Sequence, residues 1–345
     1  MNFRSDNEAP VAPRILEAIG ACNRGPAQAY GEDDWTARLE ARFSALFERP
    51  VKVLPVATGT AGNGIALAAL LPPWGTALCH SGAHIYNDEC GAVELFSGGA
   101  RLVPLPGENG KLDPAIVERH LAESGAHGVH EMAPAALSLT QSSEAGTVYT
   151  PDELARLAAL AKEHHLGVHM DGARFANAVA ALACRPADIT WRAGVDLLTF
   201  GASKNGALAA EAVIAFDGEA RFSELERRRK RAGHLLSKMR YLSAQLLAYL
   251  EDDLWLDLAR HANRQATRFA AAVKTHPGAG LAYPVEANEV FLRLPERQLR
   301  RMQDEGCAFH LWPGAHDLAR LVFTHATTDA ETDALIAAFK RAAAA

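Results

Sequence analysis

Two short apolar runs near the middle of the chain organise the reading of the rest. Residues 195–200 are apolar except for Asp196 and Thr199 and stop at Gly201, while residues 166–170 stop at Asp171. Runs of this length without polar alternation predict strands buried on both faces, as in a parallel sheet. Segments 51–56, a stretch ending near Cys79, 101–104 and 128–139 predict further strands, and His130 falls in the last of these. Helical spacing separates them: residues 14–23 form one segment, and residues 35–47 place Leu39, Phe43, Leu46 and Phe47 on one stripe. Thr150, Pro151, Asp152 and Glu153 read as a helix start, with proline at the first position and acids in the first turn. The alternation through Ile214 predicts an α/β fold with a large, doubly wound, mainly parallel sheet.

Beyond Asp217 the pattern changes. Residues 219–250 and 254–276 predict long helices, residues 281–294, 309–312 and 318–324 predict short strands, and residues 329–344 predict a closing helix. The alternation of strand and helix is lost, so a smaller α+β C-terminal domain is expected. The division expected is an N-terminal arm over 1–13 contributing to the active site, a large domain over 14–250 and a small domain over 251–345.

With 345 residues, 49% of them hydrophobic, the chain has enough apolar surface for two such cores. A net charge of -6 supplies no electrostatic footprint for nucleic acid or an anionic membrane surface. The five cysteines, Cys22, Cys79, Cys90, Cys184 and Cys307, are scattered without C-x-x-C spacing, which argues against a disulfide framework or a metal site. The first ten residues carry charge and lack an apolar signal core, and no run of 18 apolar residues occurs. A soluble, cytoplasmic protein is expected.

Both central strands end in reactive groups. Lys204 lies just past one and Asp171 ends the other, so a parallel sheet brings an amine and a carboxylate to one rim, where ligands bind in doubly wound folds. Pyridoxal 5'-phosphate (PLP) requires that pair: a lysine for a Schiff base and an acid that keeps the pyridine nitrogen protonated. Gly59, Thr60, Ala61 and Gly62 end a strand and open a helix, whose N–H groups and dipole can cradle a phosphate. Taken alone, such a turn is more often simple close packing. His84 and Glu89 stand out in the loop and helix after Cys79, and Thr140 and Gln141 follow a strand end from which side chains can face a cofactor. The basic run from Arg227 to Arg231, with Lys238 and Arg240, reads as a solvated helix face because acids surround it.

The strings FRSDN, YGEDDW, ATGTAGN, AHIYNDECGA, GTVYTPDEL, HMDGARFANA, GASKNG and ARLVFTH occur in this order between Phe3 and about Asp329. In them the chain resembles the threonine aldolase family, most of all its low-specificity L-threonine branch and the phenylserine-cleaving members. DGAR followed by SKNG is the specific part of that resemblance. It implies PLP-dependent fold type I, a homodimer or homotetramer, and retro-aldol cleavage of a β-hydroxy amino acid to glycine and an aldehyde. A β-eliminating lyase, an aminotransferase or a non-catalytic PLP-binding protein on the same scaffold are the alternatives.

Residue by residue, the resemblance implies Lys204 as the Schiff-base lysine, Asp171 as the partner of the pyridinium nitrogen, and Gly59 and Thr60 as the phosphate turn. Arg320 and Ser5 match the groups that hold the substrate carboxylate, and Arg174 matches an arginine near cofactor and carboxylate. His84 matches a histidine stacked on the pyridine ring, and His130 matches a second histidine reaching the substrate hydroxyl. Tyr30, Lys230, Arg231, Lys238 and Arg240 match parts that reach the neighbouring subunit's site. After ARLVFTH the sequence departs from the family pattern with Ala326, Thr327 and Thr328.

Overall fold

The computed structural model describes residues 1–217, 219–312 and 314–344. From the N-terminus, α1 (Pro13–Cys22) and α2 (Asp34–Leu46) lead into β1 (Lys52–Val56), α3 (Gly59–Leu70), β2 (Gly75–His80), α4 (His84–Asn87) and α5 (Ala92–Ser97). Then follow β3 (Arg101–Leu105), α6 (Pro114–Glu123), β4 (Ala133–Thr140), α7 (Pro151–Glu163), β5 (Gly167–Gly172), α8 (Phe175–Leu182), β6 (Leu197–Gly201) and β7 (Glu211–Ala215). These strands form one seven-stranded sheet in the order β1-β7-β6-β5-β4-β2-β3, all running one way except β7.

The register fixes one working edge. Thr140 lies opposite Asp171, Asp171 opposite Thr199, and Gly201 and Val56 both opposite Glu211. The C-terminal ends of β1, β4, β5 and β6 therefore share an edge with the start of β7. That edge is where the peptide chain leaves the sheet, and side chains from five segments can converge there.

Helices cover both faces. On one face Phe200 is fully buried, with Phe43 at 5.1 Å, Phe175 at 5.8 Å, Trp255 at 5.9 Å and Tyr249 at 6.1 Å between ring centroids. On the other lies α3, buried from Ala61 to Leu70. Its glycines permit that depth: a Cβ on Gly62 would stand 2.6 Å from Thr199 Cγ2, and one on Gly64 would stand 2.3 Å from the Phe96 ring. The helix approaches the sheet at Gly62 and α5 at Gly64 this closely only because those atoms are missing.

After β7 come α9 (Glu219–Arg231), α10 (Arg240–Leu250), α11 (Leu254–Lys274), β8 (Gly280–Leu281), β9 (Glu289–Arg293), α12 (Glu296–Asp304), β10 (His310–Leu311), β11 (Leu318–Val322) and α13 (Asp329–Ala343). The last four strands form an antiparallel sheet in the order β10-β11-β9-β8. A second core gathers Phe3 with Phe269, Leu292, Leu299, Leu321 and Phe339. In α11, Trp255 and Ala259 pack into the first core while Ala266, Phe269 and Val273 pack into the second, so this helix belongs to both. The N-terminal arm is tied to the small sheet: the Phe3 N–H donates to the Ala308 carbonyl at 2.7 Å, and the Val322 N–H to the Phe3 carbonyl at 2.9 Å.

Two expected elements are corrected. The segment 219–250 is two helices, because the chain turns at Gly233 in the left-handed region, φ 78°. The segment 128–139 is not one strand: Gly128–His130 forms a 3-10 turn, and β4 begins at Ala133.

Candidate active site

A cavity of about 350 Å³ opens at the C-terminal edge of the large sheet. Among its lining residues are Gly59, Thr60, His84, Asp171, Arg174 and Lys204, so six of the sequence-derived candidates meet there. Lys204 stands on the turn after β6. Its backbone is pinned on both sides: the N–H groups of Ala202 and Ser203 donate to the Glu211 carboxylate at 3.0 and 3.3 Å, and Asn205 Nδ2 donates to the Tyr249 hydroxyl at 2.7 Å and the Trp255 carbonyl at 2.8 Å. No hydrogen bond or ion pair occupies Lys204 Nζ among the described residues. Burial pushes the Glu211 carboxyl up to about 7, against the pull of its hydrogen bonds and of Lys204.

Asp171 is held from two directions. Its Oδ1 accepts the Ala173 N–H at 3.0 Å, and its Oδ2 accepts Asn63 Nδ2 at 2.9 Å. Asn63 also donates to Glu89 Oε1 at 2.9 Å, and that oxygen meets His84 Nδ1 at 2.9 Å. A chain of side chains thus joins His84 to Asp171 through Glu89 and Asn63. Its hydrogen bond to Glu89 raises the imidazole pKa of His84 above the ordinary histidine range, and burial and Lys204 only partly oppose this. Nδ1 is engaged, so Nε2 is the ring atom left to act. Beneath Asp171 on the same strand, His169 is fully buried between Ser138 Oγ at 2.9 Å and Thr199 Oγ1 at 3.1 Å. Burial lowers it to about 4, so a neutral ring supports the floor of the cavity.

A second cluster flanks the first. Arg174 donates through Nε and Nη2 to both oxygens of Asp6 at 2.7 and 3.0 Å, and its Nη1 lies 3.4 Å from Glu289 Oε2. Burial opposes the charge on Arg174, but Asp6 and Glu289 outweigh it and hold the guanidinium above its usual range. Asp6 is also buried, and the cations Arg174 and Lys204 overcome that burial and keep its carboxyl below its usual range. Arg320, on β11, is 4.0 Å from Glu289 Oε1 and donates to the Arg4 carbonyl at 3.3 Å, while its buried Nε has no partner. Arg174, after β5 of the large sheet, and Arg320, on β11 of the small one, thus share Glu289.

The cavity suits PLP on its own terms. The first turn of α3 opens onto it, with the Thr58 hydroxyl taking the Ala61 N–H at 3.3 Å and open space above Gly59. Four buried polar atoms in its lining side chains lack partners: Asn63 Oδ1, Glu89 Oε2, Ser142 Oγ and Glu144 Oε2. A cavity edged by unsatisfied donors and acceptors, with one free amine, is built for a polar ligand rather than for packing.

Comparison with known proteins agrees. Residues 2–296 match the family described as beta-eliminating lyase. The chain is 44% identical over 312 residues to the low specificity L-threonine aldolase of Pseudomonas aeruginosa, covering 90% of this chain and 89% of that protein. It belongs to this family, among the threonine aldolases. A second relative, from a Pseudomonas species, is 42% identical over 91% of this chain and 90% of its own length. The structure of the Leishmania major threonine aldolase superposes with a TM-score of 0.90 at 28% identity over 99% of both chains. The architecture is PLP-dependent fold type I, as the aldolase resemblance implies.

Not every candidate joins the cavity. His130 is exposed on the turn that precedes β4, whereas Thr140 at the other end of this eight-residue strand lines the cavity. At about 3.3 Å per residue the strand separates the two ends by roughly 25 Å, so His130 does not reach the site of its own chain. Ser5 caps a 3-10 turn, its Oγ accepting the Asn7 N–H at 3.1 Å, and Asn7 rather than Ser5 lines the cavity. Tyr30 is half exposed with Lys230 Nζ 4.9 Å from its ring centre, away from the cavity. Arg227, Arg228 and Arg231 border a separate groove beside α5 with the exposed Leu95, and Arg240 donates to the Gly25 carbonyl at 2.9 Å.

Sequence reasoning gave no role to Asp6, Asn63, Glu144, Glu211 or Glu289. Asn63 had a local signal, being a buried amide in a helix otherwise small and apolar after its first turn. Glu211 and Glu289 each open an apolar strand, and a buried carboxylate at a strand end is a comparable sign.

Proposed function

We propose that this aldolase splits L-threonine, L-allo-threonine or a β-aryl analogue such as phenylserine into glycine and an aldehyde, with PLP as cofactor and no metal. One observation carries the reading: Lys204, Asp171 and the His84–Glu89 pair surround one cavity, in a chain 44% identical to a low specificity L-threonine aldolase. Lys204 would hold the cofactor's aldehyde carbon, Asp171 its ring nitrogen, His84 its ring face, and Gly59 and Thr60 its phosphate. When bound, PLP supplies the electron sink for the pair left on Cα as the Cα–Cβ bond breaks.

The residues around it select the bond. A carboxylate fixed at one side of the cavity orients the substrate so that Cβ, rather than a hydrogen, faces the sink. Arg320 is the fork for that carboxylate, because two nitrogens of Arg174 are committed to Asp6 while Arg320 Nε is free. Ser5, outside the cavity lining, is the second group proposed for that carboxylate, since its hydroxyl accepts a backbone N–H and keeps its own proton to donate. Arg320→Lys retains the charge but loses the planar fork, so kcat/KM should fall by about 30-fold, about 2 kcal/mol, in steady-state assays. Kinetics like those of the unaltered enzyme would move the carboxylate to Arg174.

The direct test is product analysis. Incubated with L-threonine or phenylserine and PLP without a keto acid, the enzyme should release glycine and the matching aldehyde. Formation of 2-oxobutanoate from threonine would show elimination instead, and a need for an added keto acid would show transamination.

A homodimer or homotetramer with the site at its interface accompanies this reading. Leu208, 60% exposed on the rim of the cavity, supports it, and Tyr30, Lys230, Arg231, Lys238 and Arg240 are then the groups that reach a neighbour's cavity. A monomer in sedimentation equilibrium would refute it. The cytoplasm is the compartment proposed, on the support of five free cysteines, and cell fractionation checks it.

A further inference from the structure

Retro-aldol cleavage needs a group that takes the proton of the β-hydroxyl, and the position of His130 leaves that place unfilled. The segment after β4 offers another residue. Glu144 lines the cavity together with Thr140 and Ser142, four residues beyond the end of the strand. Its Oε1 accepts the His84 backbone N–H at 2.7 Å, which fixes the carboxyl against the start of α4. Its Oε2 is buried and has no partner. An unpaired carboxyl oxygen held at the wall of a substrate cavity is costly unless a ligand completes it.

We propose, resting on the aldolase reading above, that Glu144 is the catalytic residue that accepts the β-hydroxyl proton, through Oε2. His84 is less suited to that task. Its Nδ1 is bound to Glu89, which favours the charged ring, and a ring lying on the cofactor offers its face rather than its edge.

The step balances within the substrate and this side chain. The O–H bond breaks and its proton moves to Oε2; the Cβ–O bond becomes a carbonyl; the Cα–Cβ bond breaks and its electron pair stays with Cα. Cα later takes up a proton, and Glu144 returns one to solvent, so the net change moves one proton from oxygen to carbon. The surroundings of Glu144 make it a competent base. Burial, and next the negative charge of Asp171, push its carboxyl up to about 7, with the His84 N–H and the Thr140 hydroxyl pulling the other way. Arg174, Tyr149 and Cys79 are the other titratable groups that sense it.

Glu144→Gln provides the test, since the amide oxygen can still accept the His84 N–H while the side chain can no longer take a proton. With PLP bound, exchange of the glycine α-proton with deuterated water needs no hydroxyl base and serves as the internal control. The variant should lose threonine cleavage by on the order of 10²- to 10³-fold in kcat, with glycine exchange and the visible spectrum of the cofactor close to those of the unaltered enzyme. In the protein without cofactor, infrared spectra across pH should show Glu144→Gln lacking a carboxyl group that titrates near 7 in the unaltered protein. Undiminished cleavage, glycine exchange falling in parallel with cleavage, or an unchanged carboxyl band would each overturn the assignment. Failure of the unaltered enzyme to release any aldehyde would refute the aldolase reading itself, a result distinct from these.

Discussion

Lys204→Ala should yield a folded protein that holds PLP without a covalent bond: its visible absorption band disappears on dialysis, and aldehyde release falls on the order of 10⁴-fold or more. The expectation of a folded variant comes from the anchoring of the turn, which does not involve the lysine side chain. Glu211 takes the Ala202 and Ser203 N–H groups, and Asn205 is bound to Tyr249 and Trp255. The large kinetic effect comes from the absence of a replacement. Among the cavity's lining residues, the other cation with full charge is Arg174, whose guanidinium is bound to Asp6 and cannot act as a nucleophile. Circular dichroism checks the fold and absorption spectroscopy the bond. A visible band that survives dialysis would place the covalent link on another residue and end the assignment of the site.

Asp171→Ala should produce the second largest loss, and of a different kind. The covalent link to the cofactor should persist, because Lys204 and its turn are untouched, while kcat falls on the order of 10³-fold as the ring nitrogen loses its acidic partner. Asn63 would keep its bond to Glu89 and lose the one to Asp171, so His84 stays oriented from one side. Turnover within a few-fold of normal in a variant with a normal cofactor spectrum would mean that another acid holds the nitrogen.

How far the site can be read from the chain depends on how local its signals are. Lys204 and Asp171 each follow an apolar run directly, and the end of a buried run is visible within about six residues. Gly59 and Thr60 are visible for the same reason, at a boundary between strand and helix. The Asp6–Arg174 pair joins residues 168 positions apart, and Asn63 reaches Asp171 across 108 positions. No periodicity predicts such pairs. His130 shows a different failure. Treating 128–139 as one strand put the histidine in a strand whose end faces the cavity, whereas the 3-10 turn at Gly128–His130 leaves it at the start of β4.

The sequence by itself determined the parallel sheet, the meeting of a lysine and a carboxylate at one rim, the small-residue turn that opens α3 and the kinship with threonine aldolases. These depend on segment length, apolar continuity and short motifs, which the chain expresses locally. Only the tertiary structure decided which other side chains reach that rim, because strand direction places Thr140 at the cavity and His130, ten residues earlier, at the opposite edge. It also decided the charge states. Arg174 owes its raised pKa to Asp6 from the N-terminal segment and Glu289 from the small sheet, against the cost of burial, and the carboxyl of Glu144 is shifted by burial and by Asp171. A pKa is set by what surrounds a group in space, and these surroundings come from segments that are distant in the chain.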